Sequence, residues 1–241
     1  MGFVIWGLLS ATLLGFLGWT AFILARQKKA WRVFARQNNL RFKVKGFLLS
    51  PEITGVMKDY SIALFTAEHG SDQTRTTRKM SAVEIILKSP IPIPGAVGSG
   101  DMVALIQRKG YSQEYKPKTK AWDTTNFIAL SDNARFLKAY LTKERLGVLI
   151  KLMRLKNVWV IFIFNGTETL LRLDTPDALD DLGKVHKTVD KLIEAARILE
   201  LASGEGEKLV AESESGNTKG AGKLKDVVEG DILSLELEED D

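Results

Sequence analysis

Cysteine is absent from this 241-residue chain, and histidine occurs only twice. Those absences exclude a disulfide framework and the usual His- or thiolate-rich zinc sites, and a cysteine-free chain fits a reducing compartment. Charge is missing from Gly2 to Leu24, and no acidic residue occurs before Glu52. No motif for a cofactor or a metal is present, so neither is expected.

What fills the charge-free stretch is GFVIWGLLSATLLGFLGWTAFIL. At ~1.5 Å of helical rise per residue it covers ~34 Å, against ~30 Å for a hydrocarbon core. Residues 2–25 are therefore expected to form one transmembrane helix, because a helix satisfies its own backbone in lipid. A basic amino end and a small-x-small cleavage site are lacking, which argues for a retained anchor over a cleaved signal. The basic flank follows the span, placing the amino end outside and the rest in the cytoplasm. Trp6 and Trp19 can sit near the two interfaces. Gly7, Ala11 and Gly15 recur at four-residue steps on one face, a pattern that permits close helix–helix packing and a homo-oligomer.

Three composition zones follow. Residues 26–39 read as a basic juxtamembrane helix; from 26 to 45 there are eight Lys/Arg and no acid. Arg26, Lys28, Lys29, Arg32 and Arg36 are candidates for binding lipid headgroups, at about 1 kcal/mol for each charge near an anionic leaflet. If this helix lies along the surface, Trp31 and Phe34 insert their apolar sides. Residues 40–202 are long enough for one hydrophobic core. Residues 203–241 hold 12 Asp/Glu and four Lys, a net −8 against +12 for residues 1–202, and read as a disordered acidic tail.

Within 40–202 the pattern is strands first and helices later. Strands are expected at Leu40–Lys45, Tyr60–Phe65, Ala82–Leu87, Met102–Gln107 and Phe127–Leu130. Pro90, Pro92 and Pro94 with Gly95, Gly98 and Gly100 forbid regular structure between two of them. Ser131 or Asp132 can cap a helix through ARFLKAYL, and Thr142 the next. Val158–Phe164 and Thr169–Leu173 flank Asn165-Gly166, which predicts a hairpin with a type I′ turn. Thr175-Pro176-Asp177 reads as a helix start, leading to an apolar stripe of Leu182, Val185, Val189, Leu192, Ala196 and Leu199. The fold class is α+β: an anchor helix, one mainly antiparallel sheet domain with packed C-terminal helices, and an acidic tail.

These features also carry a resemblance. Gly55 before a strand, a Thr/Arg-rich hairpin loop, Lys88-Ser89-Pro90-Ile91-Pro92, then Trp122-Asp123-Thr124-Thr125-Asn126-Phe127 and Leu141-Thr142 resemble a family of uncharacterised bacterial single-span membrane-anchored proteins. The pattern covers about residues 40–200, with Trp122 where the family pattern would have Phe. The resemblance implies the architecture and a bacterial inner membrane; it supplies no site residues.

Candidate chemistry is sparse. His69 precedes Ser71 and Asp72 in a probable hairpin tip, which invites a hydrolase reading, although near neighbours seldom build a triad. His186 reads as a helix-side residue. Gly95–Gly100 has the composition of a phosphate loop without the Gly-Lys-Ser/Thr ending. Glu68, Asp72, Asp101 and Asp123 are carboxylates that the fold can bring together. Arg75, Arg78 and Lys79 form a small basic patch. Nucleic acid is disfavoured, since the basic zone lacks an aromatic stacking platform. In the tail, Asp231–Glu238 (DILSLELE) alternates apolar and polar residues, as a partner-binding linear motif does.

The expectation is a non-enzymatic, membrane-tethered adaptor or assembly factor that uses its tail as partner contact. The alternative is a membrane-anchored, hydrolase-like enzyme or a ligand sensor at the bilayer surface.

Overall fold

The computed structural model describes residues 2–44, 46, 49–70, 77–123 and 126–215. Its first element, α1 (Gly2–Gln37), is one continuous helix of 36 residues, ~54 Å long at the standard rise. It is long and apolar enough to cross a membrane, and its most apolar window is wholly exposed. The hydroxyls of Thr12 and Thr20 return to the carbonyls of Leu8 and Phe16, so these polar groups are satisfied within the helix. The apolar stretch and the basic segment are thus a single element, which ends at Gln37, two residues short of the expected 39.

Nine strands form one sheet in the order β1-β2-β3-β4-β9-β8-β5-β7-β6, antiparallel at every pairing. They are β1 (Arg41–Val44), β2 (Pro51–Met57), β3 (Tyr60–Gly70), β4 (Thr77–Ile86), β5 (Gly95–Ser99), β6 (Gln113–Glu114), β7 (Phe127–Ser131), β8 (Trp159–Phe164) and β9 (Thr169–Thr175). One face carries Ile53, Leu64, Val83, Phe162 and Leu171 into the main core. The second half of α1, together with α4 (Ala134–Tyr140), α5 (Lys143–Met153) and α6 (Leu182–Leu199), covers that face. Among the described residues the opposite face is capped over β5, β7 and β8, where Met102 and Ile106 of α2 (Met102–Gln107) pack on Ala96, Ile128 and Ile161. A short α3 spans Lys120–Asp123.

Several local expectations are corrected. Met102–Gln107 is a helix, α2, and not a strand: Met102 and Ile106 lie one turn apart and are buried together. The Pro/Gly-rich segment contains the interior strand β5, where Gly98 lets two layers approach closely. A Cβ there would lie 2.5 Å from Ile106 Cδ1 and 2.9 Å from the Val160 carbonyl. The cap of α4 is Asn133, whose side chain accepts from the Phe136 amide, whereas Thr142 caps α5 as expected. The β8–β9 hairpin forms, but through residues 165–168. Asn165 is not among the residues with positive φ, as a type I′ turn requires, and its Oδ1 accepts from the amides of Thr167 and Glu168. Helix α6 starts at Leu182 under an Asp181 cap, not at Thr175-Pro176-Asp177, although its predicted stripe is the buried face.

The acidic region beginning at Ser203 opens with a further helix over 205–215, α7. Leu209 of α7 joins the core and Ser213 is buried. Arg145 clamps its first residue by a bidentate pair to Glu205, 2.6 and 2.7 Å, while also donating to the carbonyls of Tyr140, Ile198 and Glu200. The motif at Asp231–Glu238 lies outside the described residues.

Candidate functional site: a histidine–aspartate pair beside a cleft

The two-residue period of antiparallel strands puts Ala63, Phe65, Ala67 and His69 of β3 on the face opposite the main core. Register then aligns Glu84 of β4 with Arg172 of β9, and Ala82 of β4 with Asp174 of β9. Trp159 of β8 sits opposite Asp174. A charged network follows from this alignment. His69 Nε2 lies 2.5 Å from Asp174 Oδ2. Arg172 binds the same carboxylate twice, Nε to Oδ1 and Nη2 to Oδ2, both at 2.7 Å, and donates to Glu84 Oε1 at 3.1 Å.

Asp174 is fully buried and the His69 side chain is 15% exposed, so the network runs from the interior to a solvent edge. A carboxylate that already accepts two guanidinium hydrogens offers Nε2 only lone pairs, so Nε2 is the donor; in the neutral imidazole Nδ1 is then the acceptor nitrogen. Burial lowers the affinity of Arg172 for its proton, but the hydrogen bonds and charges of Asp174 and Glu84 outweigh that, and its pKa is raised. Burial pushes the Glu84 carboxyl up, against the opposing pull of Arg172.

Aromatic rings hold the imidazole in place. Trp159 meets His69 edge to face at 4.8 Å, and Arg78 lies over the same indole at 5.5 Å. Gly100 makes room for that indole: its φ is +61°, and a Cβ there would collide with Trp159 Cδ1. Phe65 lies under the Arg172 guanidinium at 5.2 Å.

His69 opens on a cleft of about 540 Å³ between the β3–β4 hairpin and α2, lined also by Glu68, Asp101, Arg108 and Asn126. An imidazole acceptor oriented by a buried carboxylate can hold a donor group of a ligand or take a proton from water. Among the described residues no cluster of three or more His, Cys, Asp or Glu is placed to hold a metal ion.

The other sequence candidates fall elsewhere. The carboxylate that meets His69 is Asp174, 105 positions away; Ser71, Asp72 and Arg75 lie outside the described residues, as do Thr124, Thr125 and the Asp123 side chain. Glu68 and Asp101 line the same cleft. Lys79 pairs with Glu68 at 3.4 Å. His186 is a helix-side residue as expected, 3.1 Å from Gln37 Oε1. The phosphate-loop reading of Gly95–Gly100 falls, because the backbone of Gly95–Gly98 pairs with β7 and β8.

The juxtamembrane cations differ in what they touch within the chain. Arg26 bonds Asp180 at 3.2 Å, Lys28 donates to the Gly46 carbonyl at 3.0 Å, and Arg32 stacks over Phe42 at 5.3 Å, while Lys29 and Arg36 are exposed. Trp31 and Phe34 are fully buried in the domain core and do not insert in lipid. Gln27, Ala30, Trp31, Phe34 and Ala35 form an i, i+3, i+4, i+7, i+8 stripe, the helical signal that placed them inward. At Gly7 and Gly15 a Cβ would meet open space, with no atom within 4 Å. Ala11 is exposed on the same stretch. Compared with protein-family models, curated proteins and solved structures, the chain matches none.

Proposed function

We propose that this protein is a membrane-tethered cytoplasmic adaptor or assembly factor that holds its acidic tail at a fixed place relative to the bilayer. The observation that carries this reading is the pair of attachments at opposite ends of the domain. At one end α1 enters the core through Trp31 and Phe34. At the other, Arg145 grips Glu205 and Asn133 Nδ2 donates to Ser213 Oγ at 3.1 Å, fixing the root of the tail near Pro92 and Pro94. The reading includes an outside amino end, a bacterial inner membrane as the resembled family implies, self-association through Gly7, Ala11 and Gly15, and a protein partner for Asp231–Glu238.

Mild-detergent co-purification of the tagged full chain, beside a 216–241 deletion that spares α7, tests it. A stoichiometric partner lost on deletion, and displaced from the full chain by a 226–241 peptide, is the expected result. Identical recovery from both chains contradicts the tail as contact.

A second reading, an enzyme or ligand sensor acting at the bilayer surface, is favoured by His69, which lines the cleft and is held by Asp174. Hydrolysis of membrane-borne esters by the full chain, lost in His69→Gln with folding retained, would favour it over the adaptor.

A further inference from the structure

The geometry of α1 leaves no spacer between bilayer and domain. The charge-free run ends at Ala25, yet Arg26 already bonds Asp180, and Trp31 Nε1 donates to the Leu179 carbonyl at 3.0 Å. From Leu24 to Trp31 the axis advances only ~11 Å, about the depth of a headgroup layer and its first hydration. The loop carrying Leu179 and Asp180, and Gly46 under Lys28, therefore stand at headgroup level.

Other parts of the sheet reach the same level. The rung Ser81↔Thr175 leads directly into that loop, and β3 and β4 continue four rungs past it, to Gly70↔Thr77. At ~3.3 Å per residue this carries the hairpin ~13 Å beyond that rung, on the side where the loop meets α1. The β1–β2 connection turns at the same end. There Leu49 is 52% exposed, and it borders a groove of about 330 Å³ lined also by Lys43, Glu52, Phe65, Glu68 and Lys79.

We propose that this end of the domain is a second membrane contact, seated in the headgroup layer, with Leu49 at the acyl boundary and Lys43 and Lys79 against lipid phosphates. The proposal rests on α1 being a membrane span. Its occupant is the bilayer because α1 delivers this surface to within about a headgroup's depth of the span. Val56 provides the contrast: it is apolar and 66% exposed, but it lies at the far end of β2.

The chain has no cysteine, so one introduced thiol is unique. Full-length Phe22→Cys, Leu49→Cys and Val56→Cys would be labelled with a small fluorophore and placed in nanodiscs of mixed neutral and anionic phospholipid carrying shallow spin-labelled acyl chains. The expected result is loss of fluorescence at positions 22 and 49 and none at 56. Lys43→Glu with Lys79→Glu should restore fluorescence at 49 and leave 22 quenched. Quenching at 22 with position 49 as bright as 56 overturns the proposal alone; no quenching at 22 overturns the span and the proposal with it.

Discussion

The indole Nε1 of Trp31 donates a hydrogen bond to the carbonyl of Leu179, 148 positions away in the chain. That bond joins the long apolar helix α1 to the loop that opens α6, and both aromatic rings at this joint in α1, Trp31 and Phe34, are fully buried. Anchor and domain are therefore one packed unit. Phe34 extends the joint by meeting the His186 ring edge to face at 4.8 Å.

Trp31→Ala should destabilise the full chain by about 3–5 kcal/mol, the range for removing a buried aromatic. Chemical denaturation in detergent measures it. A loss within the scatter of surface substitutions would mean that the helix merely rests on the domain.

Asp174→Asn should cost more than His69→Ala. The first leaves the Arg172 guanidinium without its doubly bonded charge partner in a buried setting, about 3–5 kcal/mol. The second removes a hydrogen bond to a carboxylate and the edge contact with Trp159 at a solvent edge, about 1.5–3 kcal/mol. Equal or reversed losses in denaturation midpoints would contradict the network as described.

The hydrogen bond from Arg145, partly opposed by burial, holds the Glu205 carboxyl below the usual carboxylate range. A depressed folded-state pKa contributes stability that is complete above the ordinary value of about 4.3 and is lost as pH falls through the folded value. Amide protection in 205–215 should thus hold from neutral pH to about 5 and fall below about 4. Glu84, raised by burial, has the opposite sign, so Glu205→Gln is the necessary comparison: it should weaken α7 at neutral pH and remove the acid-dependent step. An unchanged acid step in that variant would assign it elsewhere.

Gly98→Ala should destabilise by about 1–3 kcal/mol through overpacking between β5 and α2. Ile106→Val should recover only part of the loss, because the added carbon also faces the Val160 carbonyl at 2.9 Å. Full recovery would show that the backbone layers can separate.

Local periodicity made some of this fold legible. The α6 stripe, the β8–β9 hairpin and the Thr142 cap depend on near neighbours, and each formed where its residues pointed. Met102–Gln107 is too short for its apolar run to separate helix from strand. Strand β5 hid behind Pro and Gly whose role is close layer approach, a tertiary demand. Trp31 and Phe34 had a readable helical period, masked by the basic residues between them. The His69–Asp174 pair was beyond reach, since β4 lies between their strands and strand order is not written in either segment. Arg172 and Asp174 do alternate with Leu171 and Leu173, which marked their face but not their neighbours.

The central claim is that the span and the domain move as one body. Spin labels at Leu13→Cys in α1 and Lys187→Cys on the exposed side of α6, in the full chain reconstituted in nanodiscs, test it by pulsed dipolar distance measurement. The account predicts a single narrow distance distribution that broadens when Trp31→Ala is added. A broad or multimodal distribution in the unaltered joint would contradict it.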